Sequence, residues 1–250
     1  MWNTQIGIYT HCILRANVYT LSMIGTIVNT VLVIAGSLLG MVLRKGIPDN
    51  IKKIIMVAIG LFSCILGVKM GIEMQRPLIV VLSLVVGGVL GEVLHIEDFL
   101  EGIGEKLRAL VKARSEASFA QGFVFASLLF CVGPMTILGS IQAGLQNKPE
   151  LLLVKSLMDG VSSIILASTM GFGVIFSAVT VLVIQGGLTL LAQQFSFLTD
   201  PTYLNDFTSV GGMMIFAIGL RLMNVKAIKV SNFLPALVIV LLFTFIATTI

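Results

Sequence analysis

TIVNTVLVI, residues 26–34, returns as FSAVTVLVI, residues 176–184, with Thr30 to Ile34 repeated letter for letter in Thr180 to Ile184. The following apolar segment returns as well. Gly60, Gly67 and Val68-Lys69 reappear as Gly212, Gly219 and Leu220-Arg221. A third segment opens at Pro77 in the first copy and at Pro235 in the second. Repeated apolar helices are the build of many secondary transporters, whose sites lie near mid-membrane between the copies.

The composition demands a bilayer. Of 250 residues, 57% are hydrophobic and 11% charged, against roughly 25% charged in a soluble domain. Mean hydropathy is +1.05. The net charge of +4 reads as loop bias rather than affinity for nucleic acid. Cys12, Cys64 and Cys131 stand far apart, with neither disulfide nor zinc spacing. HExxH, GxSxG, Walker A and GxGxxG signatures are missing, so neither an enzyme nor a cofactor is expected. Glu92 and His95 form one ExxH pair, where a di-iron bundle needs two.

Runs of about 20 apolar residues suit a hydrocarbon core of about 30 Å. Eight are expected, at 23–43, 53–72, 77–95, 119–143, 151–171, 174–194, 208–223 and 231–250. Residues 1–22 read as a poorly structured extension, with Met23 an alternative start. Lys and Arg crowd the odd-numbered loops: Arg44, Lys45, Lys52, Lys53, Lys106, Arg108, Lys112, Arg114, Arg221, Lys226 and Lys229. The even loops hold Lys69, Arg76, Lys148 and Lys155, and the sixth carries Asp200 and Asp206. Eleven against four places the odd loops inside and both termini outside.

The fold class expected is therefore an all-α integral membrane protein of about eight transmembrane helices. Spans 1–3 and 6–8 form the repeat. A shift of five spans inverts the second copy. The basic loop RKGIPDNIKK then matches the acidic SFLTDPTYLND, the change of sign that opposite faces require. Residues 96–117, IEDFLEGIGEKLRALVKARSEA, space their apolar residues as an amphipathic helix on the inner surface. It reads as a solvated connector or as a docking helix.

Polar groups inside the spans are the candidate site. Gly133-Pro134 interrupts the fourth span, freeing a carbonyl about four residues back. That carbonyl and the Thr136 hydroxyl form a cation or solute ligand, or else the proline only kinks the helix. Asp159 is the acidic residue deep in the fifth span, with Ser162 and Ser163 one turn on and Lys155 one turn back. A charge at that depth costs at least about 2.5–3.5 kcal/mol and faces a cavity or partner. The alternative is a local pair with Lys155 snorkelling to water. Asn29 and Gln185 lie in the paired repeat helices, either lining the site or bonding helix to helix. Lys69 and Arg221 read as interfacial anchors.

GTIVNT (25–30), LRKGIP (43–48), LLFCVGPMTILGSIQAGL (128–145), KSLMDGVSSIILASTMGFG (155–173) and LPAL (234–237) resemble the DUF554 family of bacterial multi-pass membrane proteins over about residues 23–245. The resemblance implies a bacterial inner-membrane location and carries no substrate. The function expected is a secondary transporter or permease for a small cation, a proton or a polar solute, with the lipid bilayer as its surroundings. A scaffold docking a partner through 96–117 is the alternative. An oligomer is compatible with either.

Overall fold

The computed structural model describes residues 2–44, 46, 48–111 and 119–249, with the side chains of residues 2–21, 49, 52, 104, 105, 107–111, 134 and 249 outside the description. Among the described residues the chain is helical throughout. In order come α1 (Trp2–Arg44), α2 (Asp49–Ile72), α3 (Pro77–Val93), α4 (Ile96–Val111), α5 (Phe119–Cys131), α6 (Pro134–Gln146), α7 (Glu150–Met170), α8 (Gly173–Leu190), α9 (Pro201–Leu222) and α10 (Leu234–Thr249). Apolar chain in a bilayer has no water for its backbone groups, so helices satisfy them internally.

Local chemistry sets the ends. Prolines open α3, α6 and α9, where the missing N–H costs nothing. The Asp200 carboxylate caps α9 by accepting from Thr202 N at 2.8 Å. Asn147 ends α6 at φ 54°, and Gly171 separates α7 from α8 at φ 81°. That left-handed glycine allows two long helices to meet with almost no loop.

Five stretches are long and apolar enough to cross a membrane: Ser22–Arg44, Lys53–Ile72, Glu150–Met170, Gly173–Leu190 and Val230–Thr248. Two bent pairs raise the number to seven if each is one span. Both bends are 55°, between α3 and α4 and between α5 and α6. The first falls at His95, at φ 51°. The second falls at Gly133, where the expected interruption of span 119–143 divides it into two helices. The remaining expected span, 208–223, belongs to α9, which starts earlier and carries Asn205, Asp206, Thr208 and Ser209. Asp206, expected in an outer loop, is a buried residue of that helix. The stretch 1–22, expected as an unstructured extension, falls almost wholly outside the described side chains.

Small residues bring the helices together. Leu152 covers Gly25, Gly160 and Ser163 cover Gly36, and Ile164 and Ala167 cover Gly40, so α1 and α7 run parallel. Between α2 and α9, a Cβ on Gly67 would sit 2.5 Å from Gly212 O, and one on Gly60 3.0 Å from Gly219 O. These two helices therefore run antiparallel. Gly87 lies against Ala236 and Gly91 against Asn232, which makes α3 and α10 antiparallel too. Phe125, Phe130, Met170, Met214, Ile215 and Ile218 fill the core. Val31, Ile54, Ile65, Val85 and Leu157 face outward, as lipid-facing side chains do.

Candidate functional site

Lys155 and Asp159 stand four residues apart on α7, one above the other on one helical face, and their side chains form an ion pair. Both are buried, at 5% and 7% exposure. The lysine therefore does not snorkel to water. The pair forms as the structural alternative required, but inside the bundle. Its ammonium has one hydrogen-bond acceptor among the described residues, Asp159 Oδ2, and lies 5.9 Å from the centroid of the Phe130 ring.

The pair continues into a polar chain across three helices. Asn29 Nδ2, on α1, donates to Asp159 Oδ2 at 2.9 Å and to Gln185 Oε1, on α8, at 2.9 Å. Gln185 Nε2 donates to Thr26 Oγ1 at 3.3 Å. The carboxylate settles the orientation of Asn29, because a flipped amide would aim oxygen at oxygen. Both amide hydrogens are then used. Asn29 Oδ1 is left buried with no hydrogen-bond partner among the described residues, as is Ser140 Oγ on α6. Close approach through Gly25, Gly36 and Gly160 is what lets Asn29 reach α7.

Three helices agree on the depth. At 1.5 Å per residue, Asp159 lies about 13 Å from the start of α7, Asn29 about 10 Å below Ser22, and Gln185 about 8 Å from the end of α8. Parallel α1 and α7, with α8 running against them, bring these measurements to one membrane face. Asp159 lies within one residue of the middle of α7, and Asn29 and Gln185 lie about 5–6 Å from the middles of their helices toward that face.

Other expected site residues are used differently. Gly133 caps α6 in an extended conformation, and Pro134 is the first residue of that helix. The carbonyl freed by the proline is that of Phe130, and Thr136 Oγ1 donates to it at 2.7 Å. The break is thus satisfied by its own threonine. Ser163 donates to Gly160 O at 2.7 Å, against Gly36. Ser162 is half-buried, and among the described residues no hydrogen bond joins it to the chain. Thr26 is the member that sequence reasoning passed over, whereas Lys155 was weighed there as a local partner of Asp159. The signal for Thr26 was its spacing, one turn before Asn29.

Two further polar clusters tie the chain's linkers. Asp206 accepts from Gln75 N at 3.0 Å and Arg76 N at 3.1 Å, and Thr244 Oγ1 lies 3.4 Å away. At the other end, Glu97 pairs with Arg221 and accepts from Ser231 N at 3.1 Å. Asn232 donates to Glu92 and accepts from Glu97 N. Arg221 is therefore a bonded partner of α4 rather than an interfacial anchor, whereas Lys69 is exposed. His95 and Glu92 do not pair with one another; His95 Nδ1 lies 3.3 Å from Asp98. Among the described residues no three His, Cys, Asp or Glu gather as a metal site would require.

The family described as "Protein of unknown function (DUF554)" matches residues 24–245. A Bacillus subtilis protein, "Uncharacterized membrane protein YdfK", is 36% identical over 221 residues, which are 87% of this chain and 93% of that one. "Uncharacterized protein YqgA" of Escherichia coli is 30% identical over 221 residues, 87% of this chain and 94% of the relative. No solved structure matches. Agreement over nearly the whole length, with the motifs that build the Asp159 chain inside it, makes this multi-pass membrane protein a member of the DUF554 family.

Proposed function

We propose that the protein is a secondary transporter or permease for an ion or small polar solute, built as an inverted repeat around the Asp159 chain. One observation carries it. A buried lysine–aspartate pair is bonded to amides on α1 and α8, counterpart helices of the two repeat copies. A buried ion pair contributes less stability than apolar side chains of the same size. Its presence within a bilayer points to a path for charge or polar solute.

The helix directions support eight crossings and the inverted repeat. With α2 and α3 crossing, α7 runs parallel to α1 only if α5 and α6 cross together as one bent span. A re-entrant pair would turn α7 over. At 22 residues, α9 is about 33 Å long, and it lies antiparallel along α2. Gly60 corresponds to Gly212, and Gly67 to Gly219. Gly60 meets Gly219 while Gly67 meets Gly212, the exchange of partners that a two-fold axis between the copies imposes. The excess of basic residues in the odd-numbered loops supports a cytoplasmic side for the loop at 44–53 and α4 in a bacterial inner membrane, with both termini outside. The first turn of α4 is bound within the chain through Glu97, which leaves less of it for a docking partner.

The test is flux in proteoliposomes of the full chain, across a panel of monovalent cations, divalent cations and small neutral solutes. At least one should move faster than through empty vesicles. Asp159→Asn should lower that flux to background while the protein still elutes as a single folded species. A wild-type protein that moves none of them refutes transport. Undiminished flux in the variant removes Asp159 from the path.

A further inference from the structure

We infer that the half of α8 beside α4 binds one anionic diacyl phospholipid. One acyl chain lies in the groove on each flank of the helix, and the headgroup lies among the basic residues that follow Ile103. This goes beyond the transporter reading and stands whatever the protein moves.

Two grooves flank α8. The first, of about 340 Å³, lies between α8, α4 and α5, with Leu100, Ile103, Phe119, Phe123 and Val183 in its walls. The second, of about 360 Å³, lies between α8 and α1, with Ile34, Phe172 and Leu182 in its walls. Phe176 and Val179 line both and form the ridge between them. Each volume is that of a small-molecule pocket, about 300–1,000 Å³, but the chemistry does not suit a polar solute. The wall threonines are bonded inside the chain: Thr30 donates to Thr26 O at 2.9 Å, and Thr180 accepts from Ser127 at 3.0 Å. The surface left to a ligand is hydrocarbon.

The depth fits one leaflet. From Phe172 to Ile184, α8 rises about 18 Å, and half of a hydrocarbon core is about 15 Å. An acyl chain that enters at Phe172 therefore ends near the midplane. A partner helix fits the same surface poorly. Helices associate in a bilayer where small residues let their backbones approach. Between 174 and 185, α8 has no glycine, and its small residues Ser177 and Ala178 are buried. Val179 and Val183 project instead, at 58% and 61% exposure. Flexible chains fill gaps between such side chains; a rigid helix does not.

Charge names the headgroup. Phe119 and Phe172 both pack on Phe176, with ring centroids 5.4 and 5.2 Å away, so the two grooves open at the same end of α8. The stretch 104–118 is held at that end from both sides, by Ile103 and by Phe119. It carries Lys106, Arg108, Lys112 and Arg114 against Glu105 and Glu116, and Lys106 is exposed. The acidic first turns of α4 are answered within the chain, Glu97 by Arg221 and Asp98 by Lys229. Basic clusters on an amphipathic helix at a membrane surface attract anionic lipids.

The experiment is native mass spectrometry of the full chain in mild detergent, with phosphatidylglycerol and phosphatidylethanolamine of identical acyl chains added in equal amounts. One phosphatidylglycerol should be retained at least about fivefold over phosphatidylethanolamine, the contribution of a single basic residue near anionic lipid. Val179→Trp fills the space beside the ridge and should remove most of that adduct. Lys106→Gln/Arg108→Gln should erase the preference while leaving either lipid retained weakly. Glycerol phosphate, a headgroup without chains, should not compete. Equal retention of the two lipids by the wild type, or an undiminished adduct in Val179→Trp, would overturn the inference. So would a preference that survives Lys106→Gln/Arg108→Gln, or competition by glycerol phosphate. A wild-type dimer that carries no lipid would assign the grooves to a second copy and overturn it too. The comparison of the two lipids uses only wild-type protein, so it decides even if a variant does not fold.

Discussion

Lys155→Met tests whether the buried pair exists as described. The substitution keeps the length of the side chain and removes its charge. Asp159 is then a carboxylate with 9% of its side chain exposed and no cation beside it. Breaking a buried pair by removing one partner costs about 3–5 kcal/mol. Solvent screening offers little relief at that burial. One compensation remains, the bond from Asn29 Nδ2 at 2.9 Å, and charge-assisted bonds contribute about 1.5–3 kcal/mol. The expected loss is therefore near the low end, about 3 kcal/mol. At about 2–4 °C per kcal/mol for a chain of this size, Tm should fall by about 6–12 °C. The assay is the fraction of detergent-solubilised protein that survives heating as a single size-exclusion peak. Lys155→Met/Asp159→Asn removes both charges and should recover at least half of the loss, a coupling of at least about 1.5 kcal/mol. A single variant within about 1 °C of wild type, or two substitutions that simply add, would refute the pair.

Asp206→Ala should strand the N–H groups of Gln75 and Arg76 and cost about 2–4 kcal/mol, with Asp206→Asn milder, read by the same heating assay. Gly67→Leu should cut the folded yield sharply, because even a Cβ there would meet Gly212 O at 2.5 Å. Gly187→Ala, with no neighbour within 4 Å of the new carbon, should be neutral or stabilise by up to about 1 kcal/mol; equal yields from the two would undo the packing argument. With the native cysteines replaced, single cysteines at Asn50 and Glu105 should resist an impermeant thiol reagent in intact cells, and one at Thr202 should react. Outside labelling of the first two would reverse the proposed orientation.

Much of the site was visible one helix at a time. Asp159 stood out because a charge in an apolar run is expensive anywhere along it. Gly133-Pro134 broke its span because proline removes a backbone donor whatever surrounds it. The consequence of that break was not visible. Thr136, on α6, folds back onto the Phe130 carbonyl of α5, and the expected ligands are consumed by one another across the break. Ser162 and Ser163 are adjacent in sequence, yet about 100° of helical rotation turns one into the bundle and leaves the other half-buried. Asp206 reads as a loop residue because polar neighbours surround it. Only the packing of the linker before α3 against α9 turns that carboxylate into a buried cap.

By itself the sequence determined that the chain belongs in a bilayer, that it is helical, and where most of its apolar segments lie. Those properties follow from hydropathy, periodicity and local backbone chemistry, which act over a few residues and need no partner. Only the tertiary structure decided that Lys155 is buried and not at the surface, and that Asn29 and Gln185 meet although 156 residues separate them. It also decided that Arg221 answers Glu97 across 124 residues. Such pairings depend on which helix faces which, and that is set by where glycines let backbones approach. No window of the sequence contains both sides of such a contact.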